Sequence, residues 1–228
     1  MESFQELEET IAHCRRCPRL VPYREEIARV KKRQFHDELY WGKPVPGFGD
    51  PKARLWIVGL APAAHGGNRT GRMFTGDSSG DWLYEALHRY GFANQPTSVN
   101  KNDGLKLRGA FIGAAARCAP PDNKPTPDEL RTCSRFLDAE FQLLRSRRLI
   151  LALGAIAFQA VYRCLQRNAE VPPSPPKFAH LAEFEWGKER ILCSYHPSRQ
   201  NTQTGRLTRE MWHQVFERAR EITGGAGK

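Results

Sequence analysis

The sequence predicts an α/β chain: a single α/β/α three-layer domain around a central four-stranded, mainly parallel sheet. Four short apolar runs, at 54–60, 109–115, 148–153 and 190–195, have the length and aliphatic content of buried strands. Helical periodicity fills the intervals, at 80–90, 126–144 and 154–166, and returns at 206–221. Strands alternating with helices give a parallel sheet covered on both faces by right-handed crossovers. No internal repeat competes with that reading.

Taken in order, Phe4, Leu7 and Ile11 predict a short helix over 3–13 that runs into Cys14. Ile27 and Val30 share one face of a charged helical stretch at 24–34. Residues 40–51, with Trp41, Gly42, Pro44, Pro46, Gly47 and Gly49, read as loop. Everything before about residue 50 is therefore an arm on the one domain, 1–228. The first strand stops in a long loop holding Gly59, Pro62, Gly66, Gly67, Gly71, Gly76 and Gly80, and helix resumes near Asp81-Trp82-Leu83 to end at Gly91. Pro120, Pro121, Pro125 and Pro127 mark the loop after the second strand. Thr126 as N-cap and Pro127 at the first helical position open the helix that follows. Gly154 starts the next helix. Pro172, Pro173, Pro175 and Pro176 mark a linker before the fourth strand.

With 228 residues the chain can bury a sizeable core. Its longest apolar run, Leu149 to Phe158, is too short to span a bilayer. The opening Met-Glu-Ser-Phe-Gln-Glu lacks the apolar region of a signal peptide, so a soluble, cytoplasmic protein with no membrane partner is expected. A net charge of +10 favours a polyanionic partner such as nucleic acid. The charge gathers in Arg15, Arg16, Arg19, Arg29, Lys31, Lys32 and Arg33, and again in Arg199, Arg206 and Arg209. Ser, Thr, Gln and Asn, all phosphate-contacting types, interleave the second group. A solvated basic face is the plainer account of either run.

Six cysteines in a reducing compartment do not read as a disulfide framework. Cys164 lies in a helical apolar pattern and Cys193 in a strand, as inert core thiols do. Cys14-Arg-Arg-Cys17, Cys118 and Cys133 instead sit in loops or at helix ends, where four thiolates can converge on zinc or on an iron–sulfur cluster. The two pairs lie about a hundred residues apart, which suits a cluster clipping the N-terminal arm onto a finished domain.

Two loops carry the chemistry. The glycine loop after the first strand lets backbone approach a ligand closely, and it holds His65, Asn68, Asp77, Ser78 and the ring of Phe74. Loops at the carboxyl ends of parallel strands are where such folds build their sites. The second loop is Ser194-Tyr195-His196-Pro197-Ser198-Arg199-Gln200-Asn201-Thr202. His196 emerges as a buried strand ends, placed to donate to a ligand oxygen or to serve as a structural histidine.

Together these residues resemble the uracil-DNA glycosylase superfamily. Gly59-Leu60-Ala61-Pro62-Ala63 looks like its first motif and His196-Pro197-Ser198 like its second. The cysteine order is similar to the branches that carry a [4Fe–4S] cluster, and Gly59 to Gly71 resembles the fifth, type B family. The resemblance spans roughly residues 5–215. It implies a monomeric base-excision-repair enzyme that flips uracil, or another deaminated base such as hypoxanthine, from DNA and hydrolyses the N-glycosidic bond.

Carried over residue by residue, the resemblance makes Cys14, Cys17, Cys118 and Cys133 the cluster ligands. A flipped base needs a π-face, for which Phe74 is the candidate, and groups for its edge, for which Asn123 is the candidate. Gly59 and Ala61 shape the base pocket, and Asn201 resembles a second-motif residue that touches substrate or DNA. His196 resembles the donor to uracil O2, an electrostatic role. Where many relatives hold water with an Asp or Asn in the first motif, this chain has Leu60, Ala61 and Ala63. Asp77 is the replacement expected, with a helix-capping role as its plain alternative. Ser198, Arg199, Gln200, Thr202 and Arg206 suit DNA contacts. Two other readings remain open on sequence: a redox-sensing iron–sulfur DNA-binding protein, and a catalytically silent DNA-binding module with zinc in the four-Cys site.

Overall fold

The computed structural model describes residues 2–224; Met1 and the last four residues of the expected 1–228 domain lie outside the described residues. Its strands are β1 (Phe48–Gly49), β2 (Leu55–Gly59), β3 (Ala110–Ala114), β4 (Leu149–Leu153), β5 (Glu183–Trp186) and β6 (Glu189–Ser194). They form one sheet in the order β1-β3-β2-β4-β6-β5. The inner four, β3, β2, β4 and β6, are the four expected strands, and they pair in parallel. The sheet nevertheless has six strands rather than four, because β1 and β5 add antiparallel edges. β1 is two residues long and carries no periodicity. β5, Glu-Phe-Glu-Trp, alternates as an edge strand should but follows the proline run read as linker.

Side-chain alternation sorts the strand residues between two helical layers. Leu55, Ile57, Ile112, Leu149, Leu151 and Leu192 face α4 (Ser78–Arg89) and α8 (Arg209–Thr223), meeting Leu83, Leu87, Trp212 and Phe216. Trp56, Val58, Phe111, Ile150 and Ile191 face α5 (Pro127–Leu143) and α6 (Ala155–Asn168), meeting Leu137, Phe141, Phe158 and Val161. Cys164 and Cys193 are fully buried in this second layer, as inert core thiols should be. Thr126 and Glu129 close a reciprocal capping box at the start of α5, with Pro127 at its first position.

The arm holds α1 (Phe4–Ala12), which packs Leu7 and Ile11 on Phe136 of α5. It also holds α2 (Leu20–Val30), which begins four residues before the expected stretch, with Pro22 in the first turn where its missing N–H costs nothing. Two further helices, α3 (Gly67–Thr70) and α7 (Arg199–Gln203), sit inside the loops that sequence left irregular. Four- and five-residue helices are too short for periodicity to declare.

From β2 the chain crosses to β3 on one side; from β4 it leads to β6 on the other. The switch therefore falls between β2 and β4, and the crevice at their carboxyl ends is where such sheets bind ligands.

Candidate active site

At the end of β2, a Cβ on Gly59 would fall 2.6 Å from the ring of Phe74. Only a glycine lets that ring lie on the strand end. Phe74 itself adopts φ +53°, a left-handed backbone that a bulky residue holds only when its surroundings force it. The forcing groups are visible. Arg72, almost wholly buried, donates to Thr75 Oγ1 (3.0 Å), Ser98 Oγ (2.7 Å) and both carboxylate oxygens of Asp103 (2.9 and 2.6 Å). Tyr84 donates to the Met73 carbonyl at 2.8 Å, and the Phe74 carbonyl occupies the space a side chain at Gly80 would need. Partial burial pushes the Asp103 carboxyl up, but Arg72 and the amides of Leu105 and Val99 outweigh it and hold the pKa at about 2.

Asp77 is the N-cap of α4, its Oδ1 accepting from Ser79 N and Gly80 N at 3.0 Å each. The capping reading is thus correct for one oxygen. Oδ2 accepts no hydrogen bond among the described residues and lies over Gly66, where a side chain would collide with it. Burial raises the pKa of this carboxyl, against the pull of the Gly80 and Ser79 amides.

His196 leaves β6 beside Gly154, the glycine that ends β4; a Cβ there would touch His196 Cβ at 3.4 Å. Its imidazole stacks on Phe74, centroids 5.8 Å apart and planes inclined by 27°. Burial lowers its pKa to about 4, so the ring is neutral at pH 7. No described residue hydrogen-bonds its ring nitrogens, while its carbonyl accepts from Asn201 Nδ2 at 2.8 Å. Asn201 therefore braces the turn that carries His196. Ser198 caps α7 through a bond from Asn201 N, and Thr202 Oγ1 returns to the Ser198 carbonyl at 3.1 Å. Arg199 and Gln200 are exposed, Arg199 reaching Ser78 Oγ at 3.3 Å, and the Arg206 guanidinium lies 4.7 Å over the Tyr195 ring.

These contacts join Gly59, Phe74, Asp77 and the 196–201 loop at one sheet edge. Ala61 follows Leu60, whose carbonyl accepts from Ala116 at the start of the loop after β3. Asn123 lies farther along that loop, exposed, with left-handed φ at both Asp122 and Asn123. No hydrogen bond or aromatic contact ties its side chain to Phe74 or His196 among the described residues. His65 bonds Tyr40 at 3.0 Å, and buried Asn68 donates to the Arg24 carbonyl at 3.2 Å, so both serve to hold the arm. Arg72 braces the site from within the glycine loop, and Gly154 and His180 do so from segments far away in the chain; sequence reasoning gave none of the three a role there. The basic stretch of the arm is partly neutralised: Arg15 pairs with Glu25, Arg19 with Glu129 and Arg29 with Glu26.

Cys14, Cys17, Cys118 and Cys133 line one cavity with Arg24, Arg117 and Phe136, Cys133 from the interior of α5 rather than from the loop or helix end expected. Arg24 Nη1 donates to Cys118 Sγ at 2.8 Å, the Arg117 amide to Cys133 Sγ at 3.3 Å and Arg135 Nη2 to Cys14 Sγ at 3.7 Å. Arg24 Nε is buried without a partner. Burial raises the Cys118 thiol to about 11 and the Cys133 thiol to about 12. Four soft donors beside the buried Arg24 guanidinium fit an anionic metal–sulfur group, whereas the Arg117 guanidinium is held by the buried Glu140 carboxylate at 2.7 Å. Among the described residues, no three His, Cys, Asp or Glu side chains form a group that could hold a metal ion. Nor is any described helix long and apolar enough to cross a membrane.

A model of the uracil DNA glycosylase superfamily matches residues 46–220. The chain is 52% identical to a type-5 uracil-DNA glycosylase of Mycobacterium bovis over 97% of its own length and 82% of that protein's. It is 50% identical to the Thermus thermophilus type-5 enzyme, covering 95% of this chain and 96% of the relative. A type-4 uracil-DNA glycosylase of Pyrobaculum aerophilum is more distant, at 30% over 86% and 83%.

Proposed function

This chain belongs to the uracil DNA glycosylase superfamily, and from that premise we infer that it is a DNA-repair enzyme that removes uracil from DNA by hydrolysing the N-glycosidic bond. The observation that carries the reading is the Phe74–His196 stack seated on Gly59 at the switch point of the sheet.

Uracil inside a duplex is out of reach, so it is flipped out at a cost of roughly a few kcal/mol. The Phe74 ring offers the π-face that replaces the lost stacking, and the Gly59–Ala61 backbone forms the floor beneath it. As the bond breaks, positive charge grows on the sugar and negative charge on the departing base. His196, neutral at pH 7, donates a hydrogen bond to uracil O2 and stabilises that anion without transferring a proton. Asp77 Oδ2, free of hydrogen bonds among the described residues, holds the attacking water while Oδ1 stays on the helix. Asn123, on the exposed loop after β3, offers its amide to the base edge. Arg199, Gln200 and Arg206 meet phosphates, with Ser198 and Thr202 shaping the turn that presents them. Leu60, Ala61 and Ala63 put no charged group in the first motif, which leaves space for a deaminated purine such as hypoxanthine.

Cys14, Cys17, Cys118 and Cys133 would hold a [4Fe–4S] cluster, a reading supported by their shared cavity and by the buried Arg24 beside Cys118. When bound, the cluster supplies a structural cross-link between arm and domain. The enzyme works as a monomer in the cytoplasm.

Incubation with uracil-containing oligonucleotide followed by alkali tests the reading. Strand scission by the wild type, lost in His196→Ala, is expected; no scission by the wild type overturns it.

A further inference from the structure

The proline-rich segment ahead of the last two strands reads in sequence as a linker, yet its end grips the loop that carries His196. Leu181 N donates to the Cys193 carbonyl at 2.8 Å and Cys193 N to the Ala182 carbonyl at 2.9 Å, so two residues oppose one. Leu181 has φ +61°. That pattern is a β-bulge of the kind whose first position is normally glycine, and bulges beside active sites re-aim a neighbouring side chain. Here a leucine takes the left-handed position, packed against the core, and the residue so aimed is His180.

His180 meets Tyr195 twice. Its Nδ1 accepts the Tyr195 amide at 3.2 Å, and its ring stacks on the Tyr195 ring with centroids 5.1 Å apart and planes 27° apart. The Tyr195 amide lies one residue past the end of β6, and no described carbonyl accepts it. A neighbouring bond, from Gly154 N to the Ser194 carbonyl at 2.8 Å, fixes the strand end from the β4 side. His180 fixes it from the other side. An orphaned amide here would leave the next residue, His196, free to swing.

Resting on the glycosylase reading, we propose that His180 is a positioning residue for His196: it pins the amide just before it and so sets the imidazole against Phe74 and the departing base. Accepting at Nδ1 places the proton of the neutral ring on Nε2. Burial lowers the pKa of His180 and so favours that neutral acceptor.

Two substitutions separate acceptor from stacking. Asn Oδ1 occupies nearly the place of His Nδ1, so His180→Asn keeps the acceptor and loses the ring; His180→Phe keeps a ring and loses the acceptor. In single-turnover uracil excision, His180→Phe should lower the rate at saturating enzyme about tenfold with the half-saturating enzyme concentration unchanged, while His180→Asn stays within about threefold, since small misplacements of reacting groups are that costly. Equal losses that track the Tm of each variant, or a full rate in His180→Phe, overturn the proposal. Amide hydrogen exchange at Tyr195 gives a readout independent of catalysis and of how well the Phe variant folds. The amide should be protected in the wild type and in His180→Asn; rapid exchange in the wild type overturns the proposal even if uracil is released. An inactive wild type with a protected Tyr195 amide would instead overturn the glycosylase reading alone.

Discussion

The ring of Phe74 lies against the imidazole of His196, centroids 5.8 Å apart, although 122 positions separate them in the chain (196 − 74). Three local facts make the pairing possible. Gly59 leaves room for the ring, Arg72 and Asp103 hold the loop that carries it, and the turn braced by Asn201 delivers the imidazole. Each supports a prediction.

Gly59→Ala puts a methyl group into the Phe74 ring and displaces it from His196. We expect uracil excision to fall by about 10²-fold in kcat/KM, the scale of a 1 Å misplacement, while the protein still folds. Steady-state kinetics and a melting curve on the same preparation check this. An active variant would show that Phe74 is not the stacking face.

Replacing His196 by Ala removes the donor opposite uracil O2 and should cost about 10²- to 10³-fold in kcat, with little change in KM. The pH dependence of stability gives a second test. With a native pKa of about 4 against about 6.5 in the unfolded chain, the unfolded state binds the extra proton first. Stability is therefore lost as pH falls from about 6.5 toward about 4. His196→Ala should flatten that part of a denaturation-versus-pH series; an unchanged slope would mean that the imidazole is not buried in solution.

Asp103→Asn leaves the Arg72 guanidinium buried without its countercharge. Removing one partner of such a pair costs roughly 3–5 kcal/mol, and urea denaturation at pH 7 should report a loss of that order. Asp103 has a depressed pKa, so its contribution is present above about pH 4 and lost as pH falls toward about 2. Excision should weaken too, because Phe74 loses its support. A stability change within about 0.5 kcal/mol, the usual span for surface changes, would contradict this account.

If the four thiolates hold an iron–sulfur cluster, the purified protein is brown, and Cys133→Ala is colourless. Losing the cross-link should expose residues 1–50 to protease well before the sheet core. Limited proteolysis with mass mapping reads this directly. A colourless wild type containing zinc would replace the cluster with an ion.

Much of this was legible without coordinates. The inner strands declare themselves through runs such as Leu55-Trp56-Ile57-Val58, which must be apolar on both faces because helices cover both. Gly59, Asp77 and His196 stand out by their place at strand and helix ends. The edge strands β1 and β5 do not: a two-residue pairing is too short to show a period, and the alternating Glu-Phe-Glu-Trp follows a proline run that reads as linker. Asp77 shows how far local reading reaches: a cap and a free carboxylate oxygen have the same sequence signature, and the structure reveals that this side chain is both.

By itself, then, the sequence determined the parallel α/β build, the glycine loop, the histidine at the last strand's end and the four cysteines set apart from the core pair. Those follow from periodicity, backbone freedom and side-chain chemistry, which are local. Only the tertiary structure decided that Phe74 takes a left-handed backbone, that Asp77 keeps one oxygen free, that the cysteines line one cavity with Arg24 and Arg117, and that His180 reaches the Tyr195 amide. Each depends on a partner tens of residues or more away, or on packing that forces a conformation the residue would not choose alone. No spacing along the chain encodes such a meeting; the strand order of the sheet brings it about.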